Sequence, residues 1–73
     1  MNQEKIALMI KSIIKSQGKL QGPIAIKAGF TPSQFSNLLN GRKLMLAEYI
    51  PRIAKALGVT PNDILWTNRD KVR

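Results

Sequence analysis

Apolar residues recur every three or four positions along most of the chain, and glycine or proline marks the breaks between these apolar sets. The first set starts behind Asn2, a candidate N-cap, and stops at Gly18. This spacing places the apolar side chains on one face of a helix. The chain therefore opens with an amphipathic helix, whose apolar residues are Ile6, Met9, Ile10, Ile13 and Ile14.

The second and third helices are predicted from their start and stop signals. The second ends at Gly29, and Gly22-Pro23 leads us to expect that it starts a residue or two after Gln21. The third opens with a capping box in Thr31-Pro32-Ser33-Gln34, which has proline at the first helical position. We expect this third helix to run from Pro32 to Asn40.

The last two helices follow the same logic. A fourth apolar set ends at Gly58, and we expect its helix to start late enough to keep Pro51 in the first turn. Thr60-Pro61-Asn62-Asp63 repeats the start signal and launches a short helix that contains Ile64-Leu65-Trp66. Because no segment alternates apolar and polar residues, the predicted fold class is all-α, with five helices.

Length and composition limit the classes of protein that remain. The 73 residues form one small domain, predicted over residues 1–66, followed by a polar and flexible tail at 67–73. The N-terminus resembles neither a signal peptide nor a membrane span, and the absence of cysteine fits a cytoplasmic protein. With no His, no Cys and only four acidic residues, we expect no enzyme, no cofactor and no metal site.

The charge points to a polyanionic partner. Twelve Lys and Arg against four Asp and Glu give a net charge of +8, and residues 1–43 contain seven of these bases and only one of the acids. Nucleic acid is the first candidate partner and an acidic membrane the second, although many small proteins are simply basic. Four lysines of the first helix region are interpreted as solvated charges: Lys5, Lys11, Lys15 and Lys19.

The third helix has an apolar side and an uncharged polar side. Phe35, Leu38 and Leu39 fall on the apolar side, which must face the core. The opposite side contains Ser33, Asn37 and Asn40, with Gln34 and Ser36 beside them. Such amides and hydroxyls can bind base edges in the major groove of DNA, and the alternative is an ordinary solvated face.

The segment from Gln21 to Asn40, QGPIAIKAGFTPSQFSNLLN, resembles the helix-turn-helix of phage repressors and Cro proteins, the Cro/repressor-like (XRE) family. The small Ala25 matches the position where the two helices cross closely, and Gly29 matches the turn glycine. Gly41 matches the glycine that ends the second of these helices. The segment IPRIAKALGVTPNDIL continues the likeness, which covers roughly residues 5–66.

The resemblance implies roles for individual residues. The family's base-reading positions fall on Thr31, Pro32, Ser33, Gln34 and Asn37. Contacts to DNA phosphates are expected from Gln21, Lys27, Asn40, Arg42 and Lys43. Many members also bury an ion pair between the first and third helices, and here Ile14 and Leu39 occupy both of its positions, a paired change that is often neutral or stabilising.

The resemblance implies a sequence-specific regulator of transcription, a repressor or a Cro-like switch protein, that binds double-stranded operator DNA as a homodimer. Ile64, Leu65 and Trp66 are the candidate dimer interface. One alternative is an antitoxin-type module that binds a small partner protein as well as its own operator. Another is a DNA- or RNA-binding protein with little sequence preference, which the uncharged face of the third helix disfavours.

Overall fold

The computed structural model describes residues 3–65, and within them the chain forms five helices. Their bounds are α1 Gln3–Ser16, α2 Gln21–Lys27, α3 Pro32–Leu39, α4 Tyr49–Leu57 and α5 Pro61–Leu65. The described residues contain no strand, so the predicted all-α class is confirmed. The candidate cap Asn2, the candidate interface residue Trp66 and the predicted tail at 67–73 lie outside the described residues.

The start of α2 differs from the prediction. The helix begins at Gln21, with Leu20 as an N-cap that provides no side-chain hydrogen bond, so the later start expected from Gly22-Pro23 is wrong. Pro23 is the third residue of α2, where a backbone N–H has no partner within the helix and its loss costs little. Pro51 occupies the same position in α4, as predicted.

The core is built from residues of all five helices. α2 packs against α3 and α4, while α1 packs against α3 and α5. Ala25 has no exposed surface, in agreement with a close crossing of α2 over α3. The largest fully buried side chains are Phe35, Ile10, Leu38, Ile53, Leu57 and Ile64.

Ile14 and Leu39 are both buried, at 7% and 4% exposure. The two positions at which many family members place an ion pair therefore belong to the apolar core of this chain. Among the described residues, the buried side chains are all hydrophobic. A single charge introduced at either position would have no partner in such a core.

Candidate nucleic-acid interface

The N-terminal end of α3 is fixed by the predicted capping box. The backbone N–H of Gln34 donates to Oγ1 of Thr31 at 3.0 Å, and the backbone N–H of Thr31 donates to Oε1 of Gln34 at 2.9 Å. These two bonds satisfy donors that the helix itself leaves unpaired. The cap uses the acceptor of the Gln34 amide and leaves its Nε2 donor for a ligand.

The polar side of α3 is accessible along the helix. Ser33 and Gln34 are exposed, Asn37 is half-buried, and Phe35 on the opposite side has no exposed surface. The helix ends at Leu39, one residue earlier than predicted, and Asn40 is its C-cap residue. Its Nδ2 donates to Oγ of Ser36 at 3.2 Å, so these two side chains form one polar pair.

A glycine turn joins Arg42 and Lys43, two of the predicted phosphate ligands, to the end of α3. The carbonyl of Asn37 accepts hydrogen bonds from the backbone N–H groups of Arg42 at 2.9 Å and Lys43 at 3.2 Å. Gly41 has a φ of +79°, and its N–H donates to the carbonyl of Leu38. This is a Schellman motif, which fixes the backbone of Arg42 and Lys43 relative to the helix.

Gln3, which the sequence did not single out, holds the loop that carries these cations. Its Nε2 donates to the carbonyl of Lys43 at 2.8 Å, and its Oε1 accepts from the backbone N–H of Met45 at 3.0 Å. A side chain of α1 thus pairs two backbone groups of the segment between α3 and α4. No local pattern reveals such a contact, because its partners lie 40 and 42 positions away.

Arg52 of α4 was also missed, and it lies at the other end of α3. Its Nε donates to the carbonyl of Ala28 and its Nη2 to that of Gly29, both at 3.0 Å. These carbonyls belong to the turn between α2 and α3. The available signal was a single arginine between Ile50 and Ile53, in the most apolar stretch of the helix.

The two predicted phosphate ligands of α2 lie far apart. Gln21 is its first residue and Lys27 its last, and both are exposed. Lys27 lies six positions after Gln21, which is a rise of roughly 9 Å along the helix axis. Gln21 therefore lies at the positive end of the helix dipole, which favours anions, and Lys27 at the negative end.

The candidate dimer residues behave differently from one another. Ile64 has no exposed surface, because α5 packs it against the core of its own chain. Leu65 is 37% exposed. Of the described part of the predicted interface, Leu65 alone offers surface to a second molecule.

Residues 3–65 contain neither a candidate membrane span nor a candidate metal site. No helix in this range has the length and apolar content that crossing a membrane requires. The same range contains no group of three or more His, Cys, Asp or Glu side chains placed to hold a metal ion.

The helix-turn-helix geometry defines the class of this protein, and comparison with known families agrees. Residues 7–70 match the model of the Cro/C1-type HTH DNA-binding domain. Because the match spans most of the chain, the protein belongs to this family. Its membership confirms the prediction of a DNA-binding, helix-turn-helix protein in place of an enzyme.

A solved structure has the same fold. The crystal structure of the clp gene regulator ClgR from C. glutamicum superposes with a TM-score of 0.83 over 97% of this chain and 92% of that chain. The two sequences are 22% identical, so the likeness establishes the fold. No curated protein sequence matches this chain at a significant level.

Proposed function

We propose that this protein is a sequence-specific regulator of transcription that reads the major groove of operator DNA with α3. The observation that carries the proposal is the uncharged polar side of α3, which is accessible, fixed at both ends and followed directly by Arg42 and Lys43. A helix held in this way can present donors and acceptors to base edges while the cations bind the flanking phosphates.

The roles divide along α3. Ser33 and Asn37 read bases, because their side-chain polar groups have no capping duty in the described hydrogen bonds. Thr31 and Gln34 cap the helix and add one hydroxyl or amide donor each. Pro32 offers an apolar contact, for which a thymine methyl is the natural partner.

The phosphate contacts come from Gln21 and Lys27 on α2, and from Asn40, Arg42 and Lys43 at the end of α3. Three of these five are cations. Each neutralised phosphate contributes about −0.9 to the slope of log K against log salt concentration. With three cations, a monomer should show a slope of about −2.7. A slope near zero would contradict this assignment.

The proposed assembly is a homodimer on DNA, with half-sites about 34 Å apart. Leu65, which is exposed at the end of α5, supports a contact between copies in that region, and Trp66 follows it in the sequence. Sedimentation of the free protein and of its DNA complex, for the wild type and Leu65→Lys, would test this. If Leu65→Lys dimerises as the wild type does, the dimer interface does not include Leu65.

The decisive experiment is selection of bound duplexes from a random DNA pool at physiological salt. The wild type should enrich a two-fold symmetric motif, and Asn37→Ala should relax one position in each half-site. Asn62→Ala is the matched control, because Asn62 is an exposed residue of α5, away from α3. Binding without enrichment would refute sequence reading and leave a charge-driven nucleic-acid binder.

A further inference from the structure

The turn between α2 and α3 receives both hydrogen bonds of one guanidinium. Nε of Arg52 donates to the carbonyl of Ala28 and Nη2 donates to the carbonyl of Gly29, both at 3.0 Å, and these two carbonyls are neighbours in the chain. These carbonyls follow the last helical residue of α2, Lys27. The planar fork of arginine can bond two adjacent acceptors at once, which a lysine ammonium cannot do with the same geometry.

The same guanidinium packs on the aromatic residue of the turn. Cζ of Arg52 lies 4.3 Å from the ring centroid of Phe30 and 5.4 Å from that of Tyr49. The Phe30 ring stacks on Phe35 of α3 with centroids 6.0 Å apart. Arg52 is thus connected through one ring to the central core residue of α3.

The turn also leaves space for Arg52. A Cβ atom added to Gly29 would lie 2.7 Å from Nη2 of Arg52, which is closer than such atoms approach in proteins. Gly29 has a φ of +88°, so glycine serves the backbone and the guanidinium together. The two turn carbonyls, the Phe30 ring and the space left by the missing Cβ of Gly29 therefore all fit the arginine side chain.

We propose that Arg52 is a positioning residue that fixes α3 relative to α2 and thereby sets sequence discrimination without touching DNA. This inference rests on the proposed function, because discrimination requires a sequence-reading α3. Base-edge hydrogen bonds depend on the placement of α3 to within a fraction of an ångström, whereas charge-driven binding does not. Loosening the turn should therefore weaken specific binding and leave nonspecific binding unchanged.

The test uses Arg52→Lys, which preserves the net charge and removes the fork. Affinities are measured for the selected operator and for a scrambled duplex, at a temperature where circular dichroism shows the variant to be folded. We expect specific affinity to fall about tenfold and nonspecific affinity to stay within twofold. Lys55→Arg, an equally charge-preserving exchange on the exposed side of α4, should change neither.

Two outcomes would overturn the proposal. A specificity ratio for Arg52→Lys equal to that of the wild type would show that the fork does not set discrimination. A salt slope for Arg52→Gln that is shallower by about 0.9 would show that Arg52 neutralises a phosphate directly. We expect an unchanged salt slope for Arg52→Gln and a reduced specificity ratio for Arg52→Lys.

A measurement on the free protein separates this proposal from the proposed function. Amide chemical shifts of Gly29 and Phe30 should move in Arg52→Lys, because each of these amides shares a peptide bond with a turn carbonyl that loses its donor, and they should stay fixed in Lys55→Arg. If wild-type protein shows no discrimination between duplexes, the proposed function fails whatever these shifts do. If the wild type discriminates but the shifts stay fixed, the positioning role fails alone.

Discussion

The stability cost of alanine at Gly29 should exceed its cost at Gly41, although both glycines end a helix in the same way. Each is followed by a residue whose N–H bonds back to the helix, from Phe30 to Ala25 and from Arg42 to Asn37. Their φ angles are +88° and +79°. A left-handed conformation costs alanine about 1–2 kcal/mol at either position.

The two sites differ in the space behind the Cα atom. At Gly41 no atom lies within 4 Å of an added Cβ, whereas at Gly29 the guanidinium of Arg52 lies 2.7 Å away and must move. Nη2 is the end of a flexible side chain, so a shift of a few tenths of an ångström relieves the contact, stretches its bond to the Gly29 carbonyl and weakens the packing on the Phe30 ring. We estimate this excess cost at about 0.5–1 kcal/mol.

Urea and thermal unfolding of Gly29→Ala and Gly41→Ala would measure the difference. In a domain of this size, the excess corresponds to a melting temperature lower by roughly 2–8 °C for Gly29→Ala than for Gly41→Ala. In an Arg52→Met background the two substitutions should cost the same. Equal costs in the wild-type background would refute the idea that Arg52 occupies this space.

Three further experiments test other contacts. Gln34→Glu should retain the capping box and the free energy of unfolding, yet weaken operator binding, because the carboxylate lacks the amide donor and is repelled by the anionic duplex. Equal losses of stability and affinity would contradict this. Gln3→Met should cost about 1 kcal/mol and speed hydrogen exchange of the Met45 amide, and unchanged exchange would show that Gln3 does not hold the loop. Leu39→Glu should cost about 3–5 kcal/mol, and Ile14→Arg should restore part of it in the double variant; strictly additive costs in urea unfolding would argue against this pairing.

Much of the fold could be predicted because its determinants are local in the sequence. The capping box at Thr31 and Gln34 needs residues only three positions apart, and its two hydrogen bonds are present as predicted. The glycine that ends α3 is equally local. The predicted start of α2 is wrong because Gly22-Pro23 does not block the helix: Pro23 lies in the first turn, where its missing N–H costs little.

The supports of the candidate site could not be predicted, for a physical reason. Gln3 and Arg52 donate to backbone carbonyls, and every residue of the chain supplies such an acceptor. Sequence pattern therefore cannot indicate which carbonyl a distant donor will meet; only the packing of α1 and α4 decides it. The base and phosphate contacts themselves stay predictions from the family resemblance.

The Asn37 carbonyl accepts hydrogen bonds from the backbone N–H groups of both Arg42 and Lys43, so the proposed phosphate contacts are held independently of the proposed base contacts. Backbone hydrogen bonds tie the two cations to α3, and Gln3 holds their loop from α1, so neither contact depends on the side chain at position 37. Under the proposed function, Ser33 and Asn37 can then be exchanged to suit another operator while Arg42 and Lys43 bind the phosphates in the same register. Gln34 lacks this freedom, since its side chain also closes the helix cap. New binding preferences should therefore arise most readily at Ser33 and Asn37, and this chain is a suitable scaffold for selecting them.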